Sequence, residues 1–238
     1  MSLRLAMTFR EIFERFASRY LPGNQSDAAL LRYQSLARAI EAKPDSPVRL
    51  DENCDHLAFV CCGATKLVAH ASGGREQIVA FHFPDELVVV PARAEHAYTL
   101  SSVKGSELLV FDYQELLDLA RNDPLVLRML LDCSRKSLIR CRNKSLALGR
   151  KTAAERVASF LAGMAVRIGM PEDDCVFLDL PMSRRDIADS LGLTVETISR
   201  QITQLRSLDI VSTVGKSGVR IDDLRGLEAR AGYLIASG

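Results

Sequence analysis

The sequence predicts an α+β chain. An antiparallel β-barrel or sandwich lies towards the N-terminus, one long helix follows, and a helix-turn-helix with a β-hairpin wing closes the order. Three observations carry this. Five short β-rich runs separated by Gly and Pro turns fill residues 44–111. An apolar seam with a seven-residue period runs from Leu127 to Leu148. Between Leu180 and Ile221 two capped helical segments flank one glycine and lead into two short β-runs.

The 238 residues suit one large domain or two modest ones. An apolar fraction of 47% with 26% charged residues is that of a folded, water-soluble chain. The net charge of +1 creates no global basic field, so any affinity for nucleic acid must be local. No apolar run reaches the roughly 18 residues of a membrane span. Arg4, Arg10, Glu11 and Glu14 interrupt the first twenty residues, which excludes a signal-peptide core. Leu5, Phe9, Ile12, Phe13 and Phe16 recur there at helical spacing, which predicts an amphipathic helix packed on its own chain or on a partner subunit. Leu21-Pro22-Gly23 ends it, and Ser26 caps a second helix expected to run to about Ala42.

The β-rich runs are His56–Cys61, Thr65–His70, Gln77–Phe81, Glu86–Val90 and Glu107–Phe111. Pro124 then opens the long helix at a position where proline is tolerated. Its seam is Leu127, Leu131, Ser134, Leu138, Cys141, Ser145 and Leu148, the spacing of two paired helices. A homodimer contact is the expectation. The six cysteines include no CxxC pair and no zinc-finger partner histidine, so reduced thiols and a cytoplasmic location are expected. Cys141 on the seam would face its dimer mate, where a disulfide or a small apolar knob are the alternatives.

The segment LPMSRRDIADSLGLTVETISRQITQLRSLDIVSTVGKSGVRI is the most informative. Ser183 and Asp186 form an acidic capping box, Gly192 supplies a left-handed turn, and Thr194 caps a second helix. Ile198, Ile202 and Leu205 face inward, leaving Glu196, Ser199 and Arg200 outward together. Such a helix fits the DNA major groove, where arginine reads guanine and glutamate accepts from cytosine. Ser183, Arg184, Thr194, Thr197 and Lys216 in the hairpin wing suit phosphate contacts.

MSRRDIADSLGLTVETISRQITQL resembles the helix-turn-helix of the Crp/Fnr superfamily of bacterial transcription regulators. Its Val195–Arg200 core is similar to the Fnr and FixK-type branch. Upstream, HLAFVCCGATKLVAHASGGREQIVAFHFPDEL resembles that family's sensory β-barrel, a cyclic-nucleotide-binding-domain-like jelly roll. The resemblance covers about residues 26–225 and implies a division into 1–25, an N-terminal helical extension, 26–123, the sensory barrel, 124–149, the dimerisation helix, 150–225, the winged DNA-binding domain, and 226–238, a tail. It implies base contacts from Glu196, Ser199 and Arg200 on a TTGAT…ATCAA-like palindrome, with double-stranded DNA, a second copy of the chain and RNA polymerase as partners.

In FHFPDELVVVPARAEHAYTL, the family's phosphate-binding Gly-Glu-Leu is matched by Asp85-Glu86-Leu87, and its Arg-Ser pair by His96-Ala97-Tyr98 with Arg93 displaced. A carboxylate repels a cyclic phosphate, so binding without cyclic nucleotide is expected. Residues 1–53 hold no cysteine for an iron–sulfur cluster. His70, His82 and His96 are available to haem, but a lone barrel histidine is usually structural, and no cofactor is expected. The alternatives are an unidentified small-molecule or redox effector in the barrel, or a cupin-like metal enzyme built on His70, His82, Glu86 and His96. No P-loop, nucleophile elbow or dinucleotide fingerprint supports an enzyme.

Overall fold

The computed structural model describes residues 7–92, 98–215 and 217–232. The chain divides into two compact units, Met1–Ile139 and Arg140–Gly238.

In the first unit, α1 spans Phe9–Tyr20. Thr8 and Glu11 form its capping box, which satisfies two otherwise orphaned N–H groups. Ile12, Phe13 and Phe16 are buried, as their spacing predicts. The Phe16 ring lies 4.9 Å from Phe111 and 5.7 Å from Phe59, centroid to centroid. The helix therefore packs on its own β-domain, where each fully buried Phe contributes about 1.5–3 kcal/mol.

Helix α2 (Asp27–Leu36) stops well short of Ala42. Arg38–Ala42 is instead strand β1, paired antiparallel with β7 (Ser106–Asp112) from Arg38↔Val110 to Ala42↔Ser106. The local sequence favours helix, but sheet pairing overrides so weak a preference. Ile40 and Ala42 turn alternately inward, the period of a strand.

The remaining strands are β2 (His56–Cys62), β3 (Thr65–Ala71), β4 (Arg75–His82), β5 (Leu87–Val90) and β6 (Tyr98–Ser102). Tyr98–Ser102 is a strand that the sequence reading missed. Among the described residues hydrogen bonding resolves into two sheets, β1-β7-β2-β5 and β4-β3-β6, rather than a closed barrel. An antiparallel bridge from Pro47 to Ser101 brings the segment after β1 onto β6. Ala58, Val60, Val88, Leu100, Leu108 and Val110 form a shared apolar interior.

Helix α3 (Tyr113–Ala120) leads to α4 (Pro124–Arg150). The Asp123 carboxylate caps α4 by accepting from the Leu125 and Val126 amides at 3.2 Å each. Val126 and Leu130 enter the core that holds Phe16, Phe59 and Phe111.

The second unit contains α5 (Ala153–Ile168), β8 (Met170–Glu172), β9 (Cys175–Asp179), α6 (Arg184–Leu191), α7 (Val195–Arg206), β10 (Val211–Val214), β11 (Gly218–Ile221) and α8 (Leu224–Arg230). The sheet order is β10-β11-β9-β8, so the expected hairpin wing is the outer pair of a four-stranded sheet. The stretch read as a tail from residue 226 begins inside α8, which buries Leu227, and the C-cap residue Ala231 is buried just beyond it. No helix among the described residues is long and apolar enough to cross a membrane.

Candidate nucleic-acid interface

Local hydrogen bonds build the helix-turn-helix. Ser183 Oγ accepts from the Asp186 amide at 3.1 Å, and Asp186 Oδ2 accepts from the Ser183 amide at 2.9 Å. Gly192 ends α6 at φ 62°, a conformation that a Cβ penalises. Thr194 Oγ1 then accepts from the Thr197 amide at 3.2 Å to start α7. Ile198, Ile202 and Leu205 are buried, so the opposite face of α7 is left to solvent.

That face carries Glu196, Ser199 and Arg200, all exposed. Their spacing of three and four residues places them together. Hydrogen bonding from its own amide, then from the Thr194 hydroxyl, holds the Glu196 carboxyl below the usual range, so it is an ionised acceptor. Ser199 Oγ donates to the Val195 carbonyl at 2.9 Å, which leaves the oxygen's lone pairs facing outward. Arg200 supplies the only donor fork of the three. The face thus presents two acceptors beside one planar donor, the chemistry of base-edge reading.

The expected phosphate contacts fall into different settings. Thr194 and Thr197 lie at the start of α7 with their hydroxyls 3.1 Å apart. Ser183 gives its hydroxyl proton to Asp186 Oδ2 at 2.7 Å, so it meets an anion less freely than the sequence implies. Arg184 is half-buried, with Nη1 enclosed and without a hydrogen-bond partner, and burial pulls its pKa down. Lys216 lies outside the described residues.

On α4, Leu131 is 71% exposed and Leu138 50%. Ser134, Cys141 and Ser145 are also exposed, while Leu127 and Leu148 are half-buried. From Leu131 to Ser145 the predicted seam is therefore open, while Leu127 packs against the core that holds Val126 and Leu130. All six cysteines are present as thiols.

In the first unit, Asp85 adopts φ 67°, a left-handed position where glycine is favoured. Its Oδ1 accepts from Arg15 Nε at 2.7 Å, and its carbonyl accepts from the Tyr20 hydroxyl at 2.6 Å. Both partners belong to α1. Glu86 Oε2 accepts from the Phe83 amide at 3.1 Å. Phe81, Phe83, Leu87, Val88 and Val90 are buried. Arg93, His96 and Ala97 lie outside the described residues.

The imagined metal cluster does not assemble among its described members. His70 pairs in register with Glu76 and His82 with Thr65, at opposite ends of the β3–β4 hairpin. No group of three or more His, Cys, Asp or Glu residues gathers in metal-binding geometry among the described residues.

Residues 155–230 match the family of Crp-like helix-turn-helix domains. The chain is 34% identical to a probable transcriptional activator of Rhizobium leguminosarum bv. viciae, over 83% of this chain and 82% of that protein. It is 31% identical to the nitrogen fixation regulation protein FixK of Rhizobium meliloti, over 80% and 82%. Among solved structures, FixK2 from Bradyrhizobium japonicum superposes with a TM-score of 0.74 at 30% identity, over 83% of this chain and 98% of that one.

Proposed function

The chain belongs to the Crp/Fnr family of DNA-binding transcription regulators, in its Fnr/FixK-type branch, and from that premise we propose that it acts as a homodimer on a TTGAT…ATCAA-like palindrome. The observation that carries this reading is the exposed Glu196, Ser199 and Arg200 face on a helix whose other side is anchored in the core. Glu196 and Arg200 read base edges, and Ser199 accepts beside them. Thr194, Thr197 and the positive end of the α7 dipole position the phosphate backbone, and Ser183, Arg184 and Lys216 are the further proposed phosphate contacts.

The open stripe from Leu131 to Ser145 supports pairing through α4, which places two α7 helices about one DNA turn, roughly 34 Å, apart. The domain division proposed from the sequence is retained, with the DNA-binding domain extended through α8. RNA polymerase is the proposed protein partner, the cytoplasm the proposed location, and no enzymatic step is assigned.

The regulator works without cyclic nucleotide in this reading. Asp85 offers a carboxylate where a cyclic phosphate needs positive charge, and its cationic neighbour Arg15 is already engaged with it. Selection of bound sequences from random double-stranded DNA tests the whole proposal. Recovery of a two-fold symmetric site is expected, and a pool with no common sequence would overturn it. Calorimetry with cyclic AMP and cyclic GMP tests the effector claim, and micromolar binding of either would reverse it.

A further inference from the structure

Two helix C-termini meet on one side chain in the second unit. Arg156, near the start of α5, donates from Nη2 to the Leu148 carbonyl at 2.7 Å and from Nε to the Lys151 carbonyl at 3.0 Å. Its Nη1 donates to the Leu191 carbonyl at 3.1 Å. Leu148 is in the last turn of α4, Lys151 follows that helix, and Leu191 is the last residue of α6. The amide that would continue α4 onto Leu148 belongs to Thr152, and it donates instead to Glu155 Oε2 at 2.7 Å.

Carbonyls at a helix C-terminus lack intrahelical donors and carry the negative end of the dipole. One rigid guanidinium fork satisfies both ends and holds them together, which a flexible ammonium does less well. The turn into α7 starts at once. A Cβ on Gly192 would lie 3.4 Å from Leu148 Cδ2 and 3.8 Å from Arg156 Nη1. A second tie runs one turn earlier, where Lys144 Nζ donates to Ser190 Oγ at 3.1 Å.

We infer that Arg156 is a positioning residue that sets the spacing between DNA half-sites, by fixing the end of the pairing helix to the turn that launches the reading helix. It touches no DNA. The inference rests on the dimer reading above. In a dimer paired along α4, any change in the angle between α4 and α6 is carried to both α7 helices. Their separation must match DNA, in which one added base pair moves a half-site about 3.4 Å and rotates it by roughly 35°.

The test measures binding of the wild type, Arg156→Met and Arg156→Lys to the selected palindrome with one base pair inserted or removed between the half-sites. The wild type is expected to lose about tenfold or more on either change. Arg156→Met should bind its best site about tenfold more weakly and suffer only about a threefold spacing penalty, with base preference opposite Arg200 unchanged. Arg156→Lys, which keeps the charge and most of the stem, should fall between them, and it carries the test alone if the methionine variant does not fold. A folded variant that keeps the wild-type spacing penalty, or loses affinity equally at every spacing, overturns the inference. A wild type indifferent to spacing, or equally tight on one half-site, overturns the dimer reading instead.

Discussion

Arg15 Nε donates to Asp85 Oδ1 across 2.7 Å, joining residues 70 positions apart. The hydrogen bond from Arg15 holds the Asp85 carboxyl below the usual carboxylate range, and burial opposes it. A carboxyl with a depressed folded pKa contributes stability above its unfolded value near 4, and loses it as pH falls through the folded value. Both side chains are about one-third exposed, which limits the pair to under about 1 kcal/mol. Arg15→Met should therefore melt below the wild type at pH 7, with the gap closing below about pH 4. An equal gap at pH 3 would assign the effect to packing of the arginine stem.

Phe16 is fully buried among Phe59, Phe111 and the first turns of α4. Phe16→Ala should cost about 3–5 kcal/mol in denaturant unfolding of the first unit. A loss under about 1 kcal/mol would mean that α1 is peripheral to this core.

Arg200→Ala should weaken binding to the selected palindrome by about 1–3 kcal/mol and relax preference at one base pair in each half-site. Band-shift titrations on single-base variants measure this. Equal loss on all sequences would make Arg200 a phosphate contact.

Leu138 is half-exposed on the open α4 stripe, so Leu138→Asp should alter the stability of one chain by no more than about 0.5 kcal/mol. It should yield monomers in sedimentation and lose the palindrome. Cys141 lies three residues further along the same stripe. Peroxide should give a Cys141-dependent cross-linked dimer on non-reducing gels if its mate sits within disulfide range.

Burial pushes the Lys144 ammonium down to about 8. A base that binds its proton less well when folded destabilises the protein below that pH, and the cost disappears as pH rises towards the unfolded value near 10.4. The stability of the wild type relative to Lys144→Met should therefore rise between pH 8 and 10.5, by on the order of 2 kcal/mol in urea unfolding. A constant difference would show that the ammonium is well solvated.

What the sequence determined by itself is the set of features made within four residues. The boxes at Ser183 and Asp186, the Gly192 turn, the Thr194 cap and the outward face of α7 are local, so spacing and side-chain chemistry specify them. The seam of α4 is legible for the same reason, since the helical period alone places Leu131 and Leu138 together. What only the tertiary structure decided depends on partners far along the chain. Arg38–Ala42 has the composition of a helix, yet it becomes a strand because β7 lies some 70 residues on. Tyr98–Ser102 did alternate visibly, and that signal was available. Arg156 gave none, because its role depends on the carbonyls of Leu148 and Leu191, and a backbone acceptor carries no mark in the sequence. Asp85 first reads as a lost phosphate site. Its engagement with Arg15 and Tyr20 appears only when α1 is folded onto the sheet, because hydrophobic burial of Phe16 brings those distant groups into reach.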